Sequence, residues 1–254
     1  MNFDKMLIRC SSLGLVCGDG RSIGLTDKMQ QELKELQAKD KLTDKQAQKV
    51  EELMERSKCK NEFSLSQTAM SYVQELVDQK VFKYTTSLDS KELDKGILCE
   101  DESIDLDNAI NFTNYKKNEV QMFNEYISGT CDVLTPKDIN FVNEHKVSWS
   151  KKTFPKTKKD AYSFLYEVQQ HGYMELFDRD NAKLIYSLIN TPDHLIPAYE
   201  DISLHIMDDV PLHLRQKTLT IERSSFMWDK IKGKVLECRR YANWYYEGII
   251  NDTI

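Results

Sequence analysis

The chain has 254 residues, of which 40% are hydrophobic and 30% charged, and its formal net charge is −6 at pH 7. This much apolar material can form a substantial core, so a disordered chain is excluded, and 9 glycines and 5 prolines exclude a collagen-like one. The acidic balance argues against non-specific coating of nucleic acid, but it allows a DNA enzyme that gathers its carboxylates in a metal site. The length suits one α/β domain over residues 1–254.

Membrane insertion and secretion are both disfavoured by the sequence. No run approaches the roughly 20 apolar residues that span a bilayer. The first residues, MNFDKMLIRCSSLG, are acidic at position 4 and contain only a short apolar stretch, so they do not resemble a signal peptide. The six cysteines include no Cys-x-x-Cys pair, which argues against a zinc ribbon or a disulfide framework. We therefore expect a cytoplasmic protein with reduced thiols and no membrane partner.

The N-terminal part predicts a charged helical hairpin over residues 24–60. The tetrapeptide Leu-Thr-Asp-Lys occurs at 25–28 and again at 42–45, where Thr26 and Thr43 are suited to cap two helices. The density of charge favours a solvated hairpin, and a partner-binding arm is the alternative. Residues 66–80 then carry apolar side chains at helical spacing, which predicts a helix that faces the core.

A second helix is predicted from about Leu88 to Ala109. Its apolar stripe is Leu93, Ile97 and Ile104, and Glu100 falls at the edge of that stripe. A carboxylate facing a core is costly unless it is paired or binds a cation, so Glu100 is a candidate ligand. A glutamate on the helix surface is the alternative interpretation.

The next region predicts a β-hairpin that carries two acids and a lysine. Strands are expected within residues 119–134 and over 139–147, with a turn at 135–138. Alternation along the second strand places Glu144 and Lys146 on one face, and the hairpin brings Asp132 beside them. Such a group suits a hard divalent cation and a lysine that positions the attacking water. A structural salt-bridge cluster is the alternative.

The second half of the chain predicts a basic loop, a helix, a buried strand and a long terminal helix. Lys151 and Lys152 begin a lysine cluster over 151–159 that could hold phosphates, or that could be a solvated loop. Gln169 and Tyr173 belong to the following helix. Residues 182–190 read as a strand, and residues 219–250 are predicted as the C-terminal helix.

Four motifs in order resemble the PD-(D/E)xK nuclease superfamily, and within it the lambda-exonuclease or YqaJ-like viral recombinase group. They match its Gly-x-x-x-Glu helix, Gly-x-x-Asp strand, Glu-x-Lys strand and Gln-x-x-x-Tyr helix, at Gly96–Glu100, Gly129–Asp132, Glu144–Lys146 and Gln169–Tyr173. The motifs define a catalytic core over about residues 64–190. The resemblance implies an α/β fold with a central mixed β-sheet flanked by helices, as in restriction endonucleases.

The resemblance also assigns roles to individual residues. It implies Mg²⁺ ligation by Glu100, Asp132, Glu144 and the backbone carbonyl of His145. Lys146 would orient water, while Gln169 and Tyr173 would brace the active site and the DNA strand. A 5′-phosphate would be bound by hydroxyl-bearing and basic side chains, for which the matching positions are Arg9, Ser12, Thr130 and Lys152. The spacing of Arg9 and Ser12 is shorter than in lambda exonuclease itself.

The activity implied by the resemblance is digestion of linear double-stranded DNA from its ends. It would use Mg²⁺, with Mn²⁺ as a substitute, in a two-metal hydrolysis of 5′→3′ polarity by a phage- or prophage-encoded homotrimer with a single-strand-annealing partner. Neither ATP nor an iron–sulfur cluster is expected, since the sequence has no phosphate-binding Gly-rich loop and a single C-terminal cysteine, Cys238. An endonuclease on the same core, or a non-catalytic protein that binds DNA or host factors, remains open.

Overall fold

The computed structural model of the chain describes residues 1–18, 27–39, 41–58, 63–86 and 90–253. Within them, the helices are α1 (Leu13–Cys17), α2 (Asp27–Gln37), α3 (Asp44–Lys58), α4 (Gln67–Phe82), α5 (Lys91–Leu98), α6 (Glu100–Asn111), α7 (Lys158–Ala161), α8 (Phe164–Phe177) and α9 (Ser225–Asn251). The strands are β1 (Ile8–Arg9), β2 (Met122–Phe123), β3 (Ile127–Gly129), β4 (Val133–Leu134), β5 (Phe141–Val147), β6 (Asn181–Ser187) and β7 (Gln216–Glu222).

The strands form two mixed sheets. The smaller has the order β1-β3-β2, with β1 parallel and β2 antiparallel to β3. The larger has the order β4-β5-β6-β7, in which β5 and β6 are parallel and the other pairs are antiparallel. The predicted class, α/β with a mixed sheet flanked by helices, is confirmed, although the strands are divided between two sheets instead of one.

The contacts divide the chain into two compact units. One contains residues 1–6, 15–84 and 232–254, and the other contains residues 7–14 and 85–231. All candidate site residues belong to the second unit, where α8 lies in the connection between the parallel strands β5 and β6. The single domain over residues 1–254 stays a prediction.

The first unit contains the predicted hairpin and the core helix α4. Helices α2 and α3 contact each other, and Leu36 of α2 and Leu53 of α3 are buried. Thr43 caps α3 by accepting a hydrogen bond from the backbone N–H of Gln46, whereas the other predicted cap, Thr26, lies outside the described residues. Ser66 caps α4 in the same way, and this helix matches the core-facing helix that the apolar spacing predicts over residues 66–80.

The prediction of one continuous helix over residues 88–109 is wrong, and so is the face of it that was predicted to be buried. This region consists of α5 and α6, separated at Cys99, while residue 88 lies outside the described residues. Leu93 and Ile97 are 45% and 62% exposed, so the predicted apolar stripe faces solvent along α5. Lys95 is buried instead, because its Nζ donates to the backbone carbonyls of Ser148 and Trp149 at 2.8 and 2.9 Å.

The predicted start of the C-terminal helix is also wrong. Residues 216–222 form β7, which pairs antiparallel with β6 along its whole length, and α9 begins only at Ser225. The buried side chains of α9 include the predicted packing residues Ile231, Val235 and Tyr241, whereas Phe226 is exposed. No helix in the described ranges is long and apolar enough to cross a membrane.

Candidate active site

The hairpin of β4 and β5 positions the first two candidate acids. Val133 lies opposite Asn143 in the antiparallel register, so Asp132 and Glu144 are neighbours at the beginning of β4. The Oδ2 atom of Asp132 accepts a hydrogen bond of 2.6 Å from the backbone N–H of His145. Burial and the charge of Glu144 raise the pKa of the Asp132 carboxyl. The two acids therefore converge, as the hairpin predicts.

Glu144 is buried and only half satisfied. Its Oε1 accepts hydrogen bonds from Lys146 Nζ at 2.7 Å and from Gln169 Nε2 at 2.8 Å. Its Oε2 is buried and has no hydrogen-bond partner among the described residues. Burial raises the pKa of Glu144, although the contacts from Lys146 and Gln169 favour the charged form. An unpartnered buried carboxylate oxygen is costly unless a cation or a donor is supplied.

Lys146 lies on the same face of β5 as Glu144, two residues further along. Its Nζ also lies 4.9 Å from the centre of the Tyr166 ring, a cation–π arrangement that fixes the ammonium from the side of α8. Burial lowers the pKa of Lys146, but the contact with Glu144 outweighs this effect, so the net shift is upward. The ammonium is thus charged and directed to the carboxylates.

His145 contributes only its backbone to this face. Its buried ring is on the opposite face of β5, where Nδ1 hydrogen-bonds to Ser103 Oγ of α6 at 3.0 Å. Burial lowers the pKa of His145 to about 4, so the ring is neutral near pH 7. Since the N–H and C=O of a strand residue point to the same neighbouring strand, the His145 carbonyl is directed to the side of Asp132.

Gln169 and Tyr173 lie one turn apart on α8 and face the hairpin. Besides its bond to Glu144, Gln169 Nε2 donates to the Tyr173 hydroxyl at 3.0 Å. Both side chains are buried, and burial raises the pKa of Tyr173 well above its ordinary value. The i, i+4 spacing of the Gln-x-x-x-Tyr motif therefore brings an amide and a phenol onto the same carboxylate cluster.

Close packing around Gly129 holds β3 against α8. A Cβ atom on Gly129 would lie 2.8 Å from Tyr173 Cε1 and 2.9 Å from Cys10 Sγ. Cys10 lies equally close to Gly172 of α8, where an added Cβ would be 2.9 Å from the same sulfur. The two glycines thus admit the Cys10 side chain between the strand and the helix. By contrast, nothing lies within 4 Å of a Cβ added to Gly96.

We expect Gly129→Ala to destabilise the protein by about 1–3 kcal/mol, because either Tyr173 or Cys10 must move to admit the methyl group. Gly96→Ala is the matched control, since Gly96 is inside α5 with open space around it, and it should gain up to about 1 kcal/mol. Urea unfolding of the three proteins measures both changes. Equal stability of the two variants would contradict the close packing at Gly129.

Glu100, the first residue of α6, is the third candidate acid. Its charge raises the pKa values of both Asp132 and Glu144, so the three carboxylates lie close enough to repel one another. Its Oε1 lies 3.1 Å from Lys117 Nζ, which is also 3.8 Å from Asp101. The hydrogen bond to Glu100 raises the pKa of Lys117.

The acids have the chemistry that suits a divalent cation, although their oxygens are not arranged around one common position. In the described part of the chain, no three His, Cys, Asp or Glu side chains are grouped closely enough to hold an ion as they stand. The donor set is nevertheless three carboxylates and a carbonyl, which hard cations such as Mg²⁺ prefer. A bound cation would provide a partner for the buried Oε2 of Glu144 and would reduce the repulsion among the acids.

The fold is similar to that of two solved exonucleases. A phage-related exonuclease from Haemophilus somnus 129PT superposes with a TM-score of 0.75 and 25% identity, over 96% of this chain and 97% of that one. An alkaline exonuclease from Laribacter hongkongensis gives a TM-score of 0.54 and 16% identity over 74% of this chain and 86% of that one. Its complex with dAMP gives 0.55 at the same identity and coverage.

This chain has a lambda-exonuclease-like fold. The resemblance predicted from the four motifs is thereby confirmed, and the likeness to the Haemophilus somnus protein extends over nearly the whole of both chains. No protein-family model and no curated protein matches the sequence.

In this lambda-exonuclease-like fold, the N-terminal segment lies beside the strand that leads to Asp132. Arg9 of β1 is opposite Ser128 of β3, two residues before Thr130. Arg9 is exposed and makes no ion pair with any described residue, while Ser12 and Thr130 are half-buried. The structure therefore brings the segment of Arg9 and Ser12 next to Thr130, and binding of phosphate by these side chains stays a prediction.

The lysine cluster is partly used within the protein itself. Lys151 Nζ pairs with Asp209 Oδ1 at 2.7 Å, and Lys156 Nζ donates to two backbone carbonyls of its own loop. Lys152 is exposed. Together with Lys156 and Tyr186 it lines a cavity of about 340 Å³. Lys152 is thus better placed than Lys151 to meet an external phosphate.

That cavity adjoins the acid cluster through two tyrosines. Tyr186 of β6 is opposite Lys146 in the register of the sheet, and its ring packs edge-on against Tyr166 at 6.3 Å. Because Tyr166 also contacts the Lys146 ammonium, a series of side-chain contacts connects the cavity beside the basic loop with the acids.

The motifs did not identify two residues of this neighbourhood, Cys10 and Lys117. Cys10 precedes Ser12 in a short 3₁₀ turn and is buried, so only its contacts with two distant glycines reveal its role. Lys117 lies in a stretch without regular structure, 17 positions after Glu100, and no periodic pattern links the two. The pair of adjacent lysines, Lys116 and Lys117, is the sequence feature that could have indicated a functional residue in this stretch.

Proposed function

We propose that the protein is a metal-dependent DNA exonuclease that digests linear duplex DNA from its ends. That it is a nuclease follows from its likeness, over 96% of its length, to a phage-related exonuclease. The observation that supports metal-dependent chemistry is the Asp132–Glu144–Lys146 hairpin, with a buried carboxylate oxygen that has no partner among the described residues.

In this proposal, Glu100, Asp132, Glu144 and the His145 carbonyl hold Mg²⁺, for which Mn²⁺ can substitute. When bound, such ions neutralise charge on the scissile phosphate and lower the pKa of a water molecule. Lys146 orients that water, and Gln169 keeps Glu144 in place through its 2.8 Å hydrogen bond. The water oxygen would form a bond to phosphorus as the P–O bond to the leaving oxygen breaks; the water would release one proton to solvent, and the leaving oxygen would take up one proton from solvent.

The finer parts of the proposal follow from the family resemblance. They are the two-metal form of the reaction, 5′→3′ polarity, a homotrimer, a single-strand-annealing partner and a role in phage recombination in the bacterial cytoplasm. The exposed Arg9, with Ser12, Thr130 and Lys152, would bind the terminal 5′-phosphate, supported by the position of β1 beside β3.

Linear and covalently closed circular duplexes of equal length, each with Mg²⁺ or with EDTA, test the proposal. We expect loss of the linear duplex with Mg²⁺ alone, faster for 5′-phosphorylated than for 5′-hydroxyl ends, and an intact circle under both conditions. Nicking or linearisation of the circle would indicate an endonuclease on the same core. Binding of DNA without any Mg²⁺-dependent release of nucleotides would indicate a non-catalytic protein.

A further inference from the structure

The segment between α6 and β2 has no regular structure, yet side chains fix it at its beginning. Asn108 Nδ2 donates to the Tyr115 carbonyl at 2.9 Å. Asn108 Oδ1 accepts from the Thr113 hydroxyl and from the Tyr115 backbone N–H, each at 2.8 Å. One asparagine of α6 thus holds the first turn of the segment in place.

The segment is fixed again beside the candidate metal ligands. The backbone N–H of Asn118 donates to the carbonyl of Asp132 at 2.7 Å, and its Nδ2 donates to the carbonyl of Cys131 at 3.0 Å. Lys117 therefore directly precedes a residue that is bonded to the backbone of a candidate ligand. Its position at the acid cluster is set by these backbone bonds and does not depend on its own side chain.

The Lys117 ammonium occupies the acidic side of this site. It lies 3.1 Å from Glu100 Oε1 and 3.8 Å from Asp101 Oδ1, and its side chain is 41% exposed. The neighbouring Lys116 is exposed and pairs with no acid in the described part of the chain. Of these two adjacent lysines, only Lys117 is placed where a cation bound by Glu100 would lie.

We infer that Lys117 is a further functional residue of the site, which neutralises Glu100 in the metal-free protein and transfers to a DNA phosphate when a divalent cation takes its place. The inference rests on the proposed function. A single charge on a flexible stem can be displaced by a divalent ion, because partly exposed ion pairs contribute little stability.

After its release from Glu100, the Lys117 ammonium would bind a DNA phosphate beside the acids. A cation that loses its carboxylate partner on a partly exposed surface is attracted to phosphate, and each such contact adds to the salt dependence of DNA binding. Neutralising Lys117 should therefore strengthen metal binding and weaken DNA binding. A merely structural lysine would not give two effects of opposite sign.

The test compares Lys117→Gln with the native protein in two binding measurements. Mn²⁺ binding without DNA, followed by electron paramagnetic resonance at low salt, should become about three- to tenfold tighter. Binding of a linear duplex with Ca²⁺ in place of Mg²⁺, followed by fluorescence anisotropy, should become weaker, and its salt slope should fall by about one.

Two variants serve as controls. Lys116→Gln should leave Mn²⁺ affinity unchanged, and Lys117→Arg, which keeps the charge, should restore the native values in both measurements. Unchanged or weaker Mn²⁺ binding by Lys117→Gln overturns the inference, as does unchanged DNA binding. If the native protein binds Mn²⁺ and digests linear DNA while these results fail, the inference alone is wrong. If the native protein binds no Mn²⁺, the proposed function fails with it.

Discussion

Replacement of Glu144 by glutamine is expected to reduce Mg²⁺-dependent digestion of linear DNA by about 10³-fold or more. The buried carboxylate faces Asp132 and offers an unpartnered Oε2, so its charge is the one that a cation would neutralise most completely. Metal ions contribute several kcal/mol of charge stabilisation in phosphoryl hydrolysis, and about 1.4 kcal/mol corresponds to a tenfold change in rate. Mn²⁺ affinity should fall in parallel.

The fold of this variant should survive, because glutamine keeps the shape of the side chain and an oxygen that accepts from Lys146 and Gln169. Removal of a buried charge also removes its desolvation cost. The thermal midpoint should therefore remain within a few degrees of the native value. Glu222→Gln is the matched control, since Glu222 is an exposed acid of β7 in the same sheet, and it should digest DNA at the native rate. Full activity of Glu144→Gln would refute the site.

The part of the site carried by local patterns could be predicted from the sequence. Side chains alternate along a strand with a period of two, and the composition of residues 135–138 indicates the turn of a hairpin. These two local features are enough to predict that Asp132, Glu144 and Lys146 lie close together. The spacing of Gln169 and Tyr173 works in the same way on a helix. These interactions span few residues, and they are the ones the structure reproduces.

Burial on α5 could not be predicted, because it depends on a partner far along the chain. Helical periodicity favours Leu93 and Ile97 as the buried face. Instead, the Lys95 ammonium donates hydrogen bonds to the carbonyls of Ser148 and Trp149, just after β5. The face of α5 that carries Lys95 is therefore buried, and the face that carries Leu93 and Ile97 is exposed. Burial lowers the pKa of Lys95 to about 8, which shows the cost of this arrangement.

The second half of β7, from Leu219, falls within the helix predicted over residues 219–250 for a related reason. Polar and apolar residues alternate only from Thr218 to Glu222, and the strand lies next to a long helical segment. Its structure is decided by pairing with β6, in which the paired residues range from Ser187 and Gln216, 29 positions apart, to Asn181 and Glu222, 41 positions apart. Lys117 shows the same limit, since irregular backbone carries no periodic signal that could link it to Glu100.

Replacement of Lys146 by methionine should lower the rate of digestion by about 10²–10⁴-fold, the usual contribution of a group that positions a proton or a water in the transition state. Methionine retains most of the packing against Tyr166 but removes the ammonium that lies 2.7 Å from Glu144. In the proposed mechanism Lys146 orients a water and does not bind the metal, so Mn²⁺ affinity should be unchanged or higher, unlike in Glu144→Gln.

The matched control for this change is Lys183→Met, on the neighbouring strand. Lys183 is opposite Asn143 in the register, so it lies on the other face of the sheet from Lys146, where its ammonium packs over the Phe141 ring at 5.0 Å. It should retain the native rate. If Lys146→Met lost Mn²⁺ binding together with activity, the lysine would be supporting the carboxylates. If it digested DNA as fast as Lys183→Met, the water would be positioned by another group.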